Sequence, residues 1–250
     1  MTTRTRTLHR VNEKDGAPRP HRRTAVSVGV LLIVCTAASI LSVAPLGSLL
    51  DRPVDLARLA ASDNRVVLAA LIEFVAAATG SGIAIALYPV LRPYGRALAL
   101  GAAAARTVGG VLVLVGTLAL LALLSLAQGS TSPGPTDGAA TEASVRVLLA
   151  VRDWEANFLL SLPFLLGAAL YYCVMYRATV VPRWLSAWGL VGVGLSLVAT
   201  LSAGFTQDFG FTTSSTALNA PIALQEMVLA FWLIAKGFNA QPGPQAPSAS

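Results

Sequence analysis

Pro221-Ile-Ala-Leu-Gln-Glu226-Met-Val-Leu-Ala-Phe-Trp-Leu-Ile-Ala-Lys236-Gly-Phe-Asn239 places one carboxylate near the middle of an otherwise apolar run. The run is long enough for a helix that crosses a bilayer, which takes about 20 residues. An ionisable side chain at bilayer depth costs on the order of 3 kcal/mol on insertion scales, so it turns inward to pair or to line a cavity. Glu226 is therefore read either as a protonatable or ion-coordinating site inside a bundle, or as a tether that hydrogen-bonds a neighbouring helix.

The rest of the chain agrees with a membrane setting. Of 250 residues, 55% are hydrophobic and 12% charged, and the mean hydropathy is +0.67. A soluble domain carries about twice that share of charge. The net charge of +6 does not indicate a nucleic-acid partner. Its largest concentration is a tail holding Arg4, Arg6, Arg10, Lys14, Arg19, Arg22 and Arg23. Such a tail acts as a topogenic signal and attracts anionic headgroups, so the expected partner is the lipid bilayer.

Six apolar segments are expected to span, at about 24–47, 66–91, 98–127, 156–176, 183–205 and 216–236. The fold class is an all-α membrane protein, a six-transmembrane-helix bundle over 24–238, between a basic tail at 1–23 and a disordered one at 239–250. The first segment reads as an uncleaved span, because Pro45 after Ser42 and Ala44 hinders signal cleavage. With the N-terminus inside, twelve positive residues fall on cytoplasmic segments and five on external ones. Both termini are therefore placed in the cytoplasm of a bacterial plasma membrane. Tyr88, Tyr94, Tyr176, Trp184 and Trp232 gather at the inner ends, as an aromatic belt does.

Several local features qualify this plan. The third segment has 31 residues between Arg96 and Gln128, so it must tilt or protrude. Gly129 to Gly138 reads as a turn-rich external loop, and 141–155 as an amphipathic piece lying along the outer surface. Pro221 either kinks a helix that has already begun or starts one. Pro163 raises the same question in the fourth span. Gly80, Gly82, Gly109, Gly110, Gly116, Gly189, Gly192 and Gly194 read as close-packing positions.

Candidate chemistry is sparse. His9 and His21 are the only histidines and both lie in the tail, so the body has no imidazole for haem, zinc or a Ser/His pair. Cys35 and Cys173 sit at depths roughly 10 Å apart at about 1.5 Å per residue, too far for a disulfide. Asp153 and Glu155 are close carboxylates whose side chains diverge on a helix. No catalytic, cofactor or metal site is expected. The candidate polar site is Glu226 with Glu73 and Arg106, in which Arg106 either pairs with one of the two acids or snorkels to the inner interface.

The chain resembles the bacterial integral membrane family catalogued as domain of unknown function 4386. The resemblance rests on Leu87-Tyr88-Pro89-Val-Leu91-Arg92, Arg152-Asp153-Trp154, Leu170-Tyr-Tyr172 with Tyr176-Arg177, Val181-Pro182-Arg183-Trp184-Leu185 with Trp188-Gly189, and Pro221 to Asn239. The signature residues are Pro182, Arg183, Trp184, Pro221, Glu226, Lys236 and Gly237. The resemblance implies six helices and no particular reaction or ligand. Family members often carry a glutamate three residues beyond Arg106, where this chain has Gly109. The expected function is non-enzymatic, structural or regulatory; the alternative is a small-solute or proton-coupled transporter using Glu226.

Overall fold

The computed structural model describes residues 21–130, 138–210 and 212–239, so most of the basic tail, the centre of the 129–138 loop and the C-terminal tail from 240 lie outside the described residues. The described residues contain helices and no strand. In order these are α1 (Arg22–Leu41), α2 (Leu56–Ala60), α3 (Asp63–Ser130), α4 (Gly138–Trp154), a π-helical turn (Glu155–Leu159), α5 (Ser161–Ala178), α6 (Arg183–Thr206) and α7 (Thr213–Ala235).

α3 is a hairpin. Pro89 and Pro93 each remove a backbone donor, and Gly95 then leaves helical geometry (φ 176°, ψ 78°), so the chain doubles back. Contacts between the arms fix the antiparallel register. Arg106 Nε donates to the Gly80 carbonyl at 3.2 Å, and further along Thr117 Oγ1 donates to Glu73 Oε2 at 2.6 Å. A Cβ at Gly110 would collide with Ser81 and stand 3.0 Å from the Ala77 carbonyl, so a bare backbone is what lets the arms close. The expected segments 66–91 and 98–127 are the two arms.

Around this hairpin the long helices make a closed ring: α1 packs on α3, α3 on α5, α5 on α6, α6 on α7, and α7 back on α1. Leu32, Leu87, Tyr171, Tyr172, Leu185 and Leu229 are fully buried in its core. A second core fills the far end of α3, where Leu120, Leu123 and Ala127 meet Leu46, Leu59 and Leu149. At about 1.5 Å per residue each α3 arm is roughly 50 Å long, against about 30 Å of hydrocarbon. The surplus length is what α2 and α4 cover.

One element differs from the sequence expectation, and one open alternative is decided. The 141–155 piece is no separate surface helix: α4 runs through the π turn into α5, making one helical stretch from Gly138 to Ala178. Val145 and Leu149 bury one of its faces in the second core, and Leu160 N–H closes the wide turn on the Glu155 carbonyl at 2.9 Å. α7 begins eight residues before Pro221, capped by the Thr212 hydroxyl on Ser215 N–H, so Pro221 lies inside the helix.

The outward faces are apolar. Val108, Val111, Val115 and Leu118 form one exposed stripe on α3, and Val191, Val198 and Phe205 another on α6, with Leu118 66% and Phe205 86% exposed. Meanwhile Glu73, Arg106, Thr117, Glu155, Gln225 and Glu226 are buried. This inversion of the soluble pattern suits a solvent of lipid chains.

Candidate functional site

The buried charges fall into two clusters, one in each half of the ring. The first surrounds Glu226. Arg106 enters from the second arm of α3, 2% exposed, with its stem against Gly167, where a Cβ would stand 2.7 Å from Arg106 Cγ. Its guanidinium carbon lies 3.8 Å from the Phe164 ring centroid, a cation–π contact in a desolvated setting. Nε is satisfied by the Gly80 carbonyl, while Nη1 and Nη2 have no hydrogen-bond partner among the described residues.

Glu226, 8% exposed on α7, lies within electrostatic reach of Arg106 and beside the Tyr171 hydroxyl. Its Oε1 and Tyr171 Oη are both buried without a hydrogen bond of proper geometry. The ion pairs among the described residues are Arg52 with Asp153, Arg146 with Glu142, and Arg152 with Glu73. Arg106 and Glu226 are therefore within electrostatic reach of each other but form no ion pair. Cys35 of α1 completes the surround, within electrostatic reach of both. It and Cys173 are free thiols.

Adjacent to this open pair is a closed network. Tyr172 Oη donates to Gln225 Oε1 at 2.5 Å, and Gln225 Nε2 donates to the Leu185 carbonyl at 3.0 Å. Gly189 makes room for it, since a Cβ there would stand 2.7 Å from the Tyr172 ring. Three helices are joined by two bonds. Tyr171 and Tyr172 are neighbours in sequence and their rings meet edge-on, centroids 4.5 Å apart.

The second cluster holds Glu73, which does not join Arg106 and Glu226. Its partner is Arg152, whose Nη2 donates to Glu73 Oε1 at 2.8 Å while Nη1 donates to the Gly116 carbonyl at 2.9 Å. Thr117 supplies the hydroxyl on the other carboxylate oxygen. The pairing arises because α4 remains helical past Arg152 and carries that side chain into the bundle. Arg152 and Glu155 are three apart and share a helix face, while Asp153 points away to Arg52. Glu155 is buried over Gly116, where no Cβ could fit beside its carboxylate.

The signature residues mark a junction rather than a pocket. Pro182 stands at the N-cap of α6, Arg183 lies 5.9 Å from the Tyr176 ring, and Trp184 meets Trp232 edge-on at 6.5 Å. Lys236 caps α7, and Gly237 takes φ +75°, a conformation side chains disfavour. That turn delivers Asn239 to the α5–α6 link, where its N–H and Nδ2 donate to the Val180 and Thr179 carbonyls, each at 2.8 Å. Pro221 and Glu226 are the exceptions, both within α7, with Glu226 in the interior.

A groove of about 990 Å³ at the α2 end is lined by Arg52, Val54, Leu149, Asp153, Trp154 and Phe209 among others. Its arginines Arg52 and Arg146 are both paired with acids. No group of three or more His, Cys, Asp or Glu converges as metal ligands among the described residues.

Long apolar helices that turn valine and leucine outward and keep their few charges inside define a helical bundle of the membrane type, with five helices among the described residues long and apolar enough to cross. The chain belongs to the family described as domain of unknown function (DUF4386), whose profile matches residues 27–237. No curated protein and no solved structure matches significantly.

Proposed function

We propose that the protein is a non-enzymatic, six-span protein of the bacterial plasma membrane with both termini cytoplasmic, in which Arg106, Tyr171 and Glu226 form a site that handles protons or a small polar solute. The bilayer is its partner in this reading, and nucleic acid is not. The six-span count follows from taking each arm of the α3 hairpin as one crossing. The orientation rests on the positive-residue bias.

The observation that carries the functional reading is the unclosed pair. A carboxylate serving only to tether a helix would be saturated, as Gln225 is by Tyr172 and Leu185. Arg106 and Glu226 instead keep polar atoms without partners at depth. Burying such atoms costs about 1–3 kcal/mol each, and more when charged. Intramembrane ionisable groups that bear this cost characteristically mark ion and substrate paths. Glu73, closed by Arg152 and Thr117, is a brace; a structural role belongs to that cluster.

The test is proton flux in proteoliposomes under an imposed pH gradient, wild type against Glu226→Gln, with thermal melting of both in detergent. Flux that disappears in Glu226→Gln while the melting profile holds supports the site. Equal flux in the two removes Glu226 from any such mechanism.

A further inference from the structure

The Arg152 cluster contains one more acid than its cation can neutralise. Glu73 takes Arg152 directly, at 2.8 Å, and the remaining carboxylate oxygen of Glu73 takes the Thr117 hydroxyl. Glu155 shares the face of Arg152 but makes no ion pair among the described residues. It is 7% exposed, its Oε1 is buried without a partner, and its carboxylate is seated on the Gly116 backbone. A carboxylate in such a place is shut from water, and Arg152, the cation within its electrostatic reach, is already engaged by Glu73, so its charged form is far costlier than the neutral acid.

The groups facing Glu155 leave one candidate for the missing positive charge. α3 brings Glu73 and the uncharged Thr117, and α4 brings Arg152. Asp153 is turned to Arg52. The π turn itself has no other charged residue, and α5 and α6 hold theirs, Arg177 and Arg183, at the opposite end of their helices. A single proton on one carboxyl oxygen meets the requirement; a metal cation would need several more unengaged oxygens around it.

We propose that Glu155 is a proton-binding site, distinct from the Glu226 site and located at the π turn in the α2 half of the bundle. With the proton on, Arg152 belongs to Glu73, as observed. When the O–H bond breaks and the proton passes to water, two carboxylates draw on one guanidinium and the brace between α3 and α4 loosens. The groove lies one residue away along the helix, lined by Asp153 and Trp154, so a small opening at the turn is all that separates Glu155 from water. The π turn suits this role: its widened ring is an arrangement that recurs at functional sites in helices.

The experiment is pH-difference infrared spectroscopy of the full-length protein in lipid nanodiscs, following the carboxyl C=O band of protonated acids. Wild type should show a band that is lost as pH rises. Glu155→Gln should remove the Glu155 component of it, a component that Glu226→Gln should retain, which separates this proposal from the preceding one. Glu155→Asp keeps the acid while withdrawing it from Gly116, and should move the midpoint of the same band. A wild-type spectrum with no pH-dependent carboxyl band, or an unchanged band in Glu155→Gln, overturns the proposal. Should Glu155→Gln fail to fold, an unmoved midpoint in Glu155→Asp overturns it equally.

Discussion

Arg152 binds a carboxylate and a main-chain carbonyl at once, joining α4 to both arms of α3. Removing it alone strands Glu73 at depth with only a hydroxyl for company, so Arg152→Met should destabilise by about 3 kcal/mol, the cost of breaking a buried pair on one side. Adding Glu73→Gln should restore most of that loss, because the stranded charge is then gone. Denaturant unfolding in mixed micelles checks both variants; equal stability of Arg152→Met and wild type would show the pair to be a solvated contact. Glu226 was legible as a buried site because a charge inside an apolar run has nowhere else to go. Arg152 and Glu155 were not, since they stand at the charged edge of such a run, where sequence alone cannot tell an exposed loop from a continuing helix. Between these cases lies Arg106: pairing and snorkelling were equally consistent with its position, and only the glycine at 167 and the ring at 164 show that the side chain stays inside.

At the scale of elements, the small residues separate into those that set helix contacts and those that do not. In α6 a Cβ at Gly192 would stand 3.0 Å from Cα and Cβ of Ile222 in α7, whereas at Gly194 it would meet nothing within 4 Å. Gly192→Ala should therefore push α6 from α7 and cost about 1–3 kcal/mol, as overpacking does. Gly194→Ala should be neutral or stabilising by up to about 1 kcal/mol, the helix-propensity gain. Paired melting measurements decide it, and a loss in Gly194→Ala matching that in Gly192→Ala would mean that contact is not the cause. The sequence grouped these glycines together, because spacing reveals which positions are small but not which of them face a partner. The α3 break was readable for a firmer reason: Pro89, Pro93 and Gly95 stand between two apolar runs, and backbone chemistry there allows little else. Continuity from α4 to α5 had no such marker, being set by Val145 and Leu149 finding the end of α3.

For the whole molecule, apolar stripes outside and charges inside make insertion the condition of stability, and the arrangement of the two ends follows from the α3 hairpin. Its turn, with Arg92, lies at the end shared by the α5–α6 link, while its far ends meet α2 and α4, with Arg146. In the proposed topology a single crossing by the second arm separates Arg92 from Arg146. Both side chains are exposed, and the Arg146–Glu142 pair on α4 is a surface contact of little energetic weight. Arg92→Cys and Arg146→Cys, each made with Cys35 and Cys173 replaced by alanine, should therefore label differently with a membrane-impermeant maleimide on intact cells. Arg146→Cys is expected to react from outside, and Arg92→Cys only after the membrane is opened. The reverse pattern would invert the orientation while preserving the hairpin. Equal labelling on intact cells would place both residues on one side, which is incompatible with the second arm of α3 crossing the bilayer and hence with six spans.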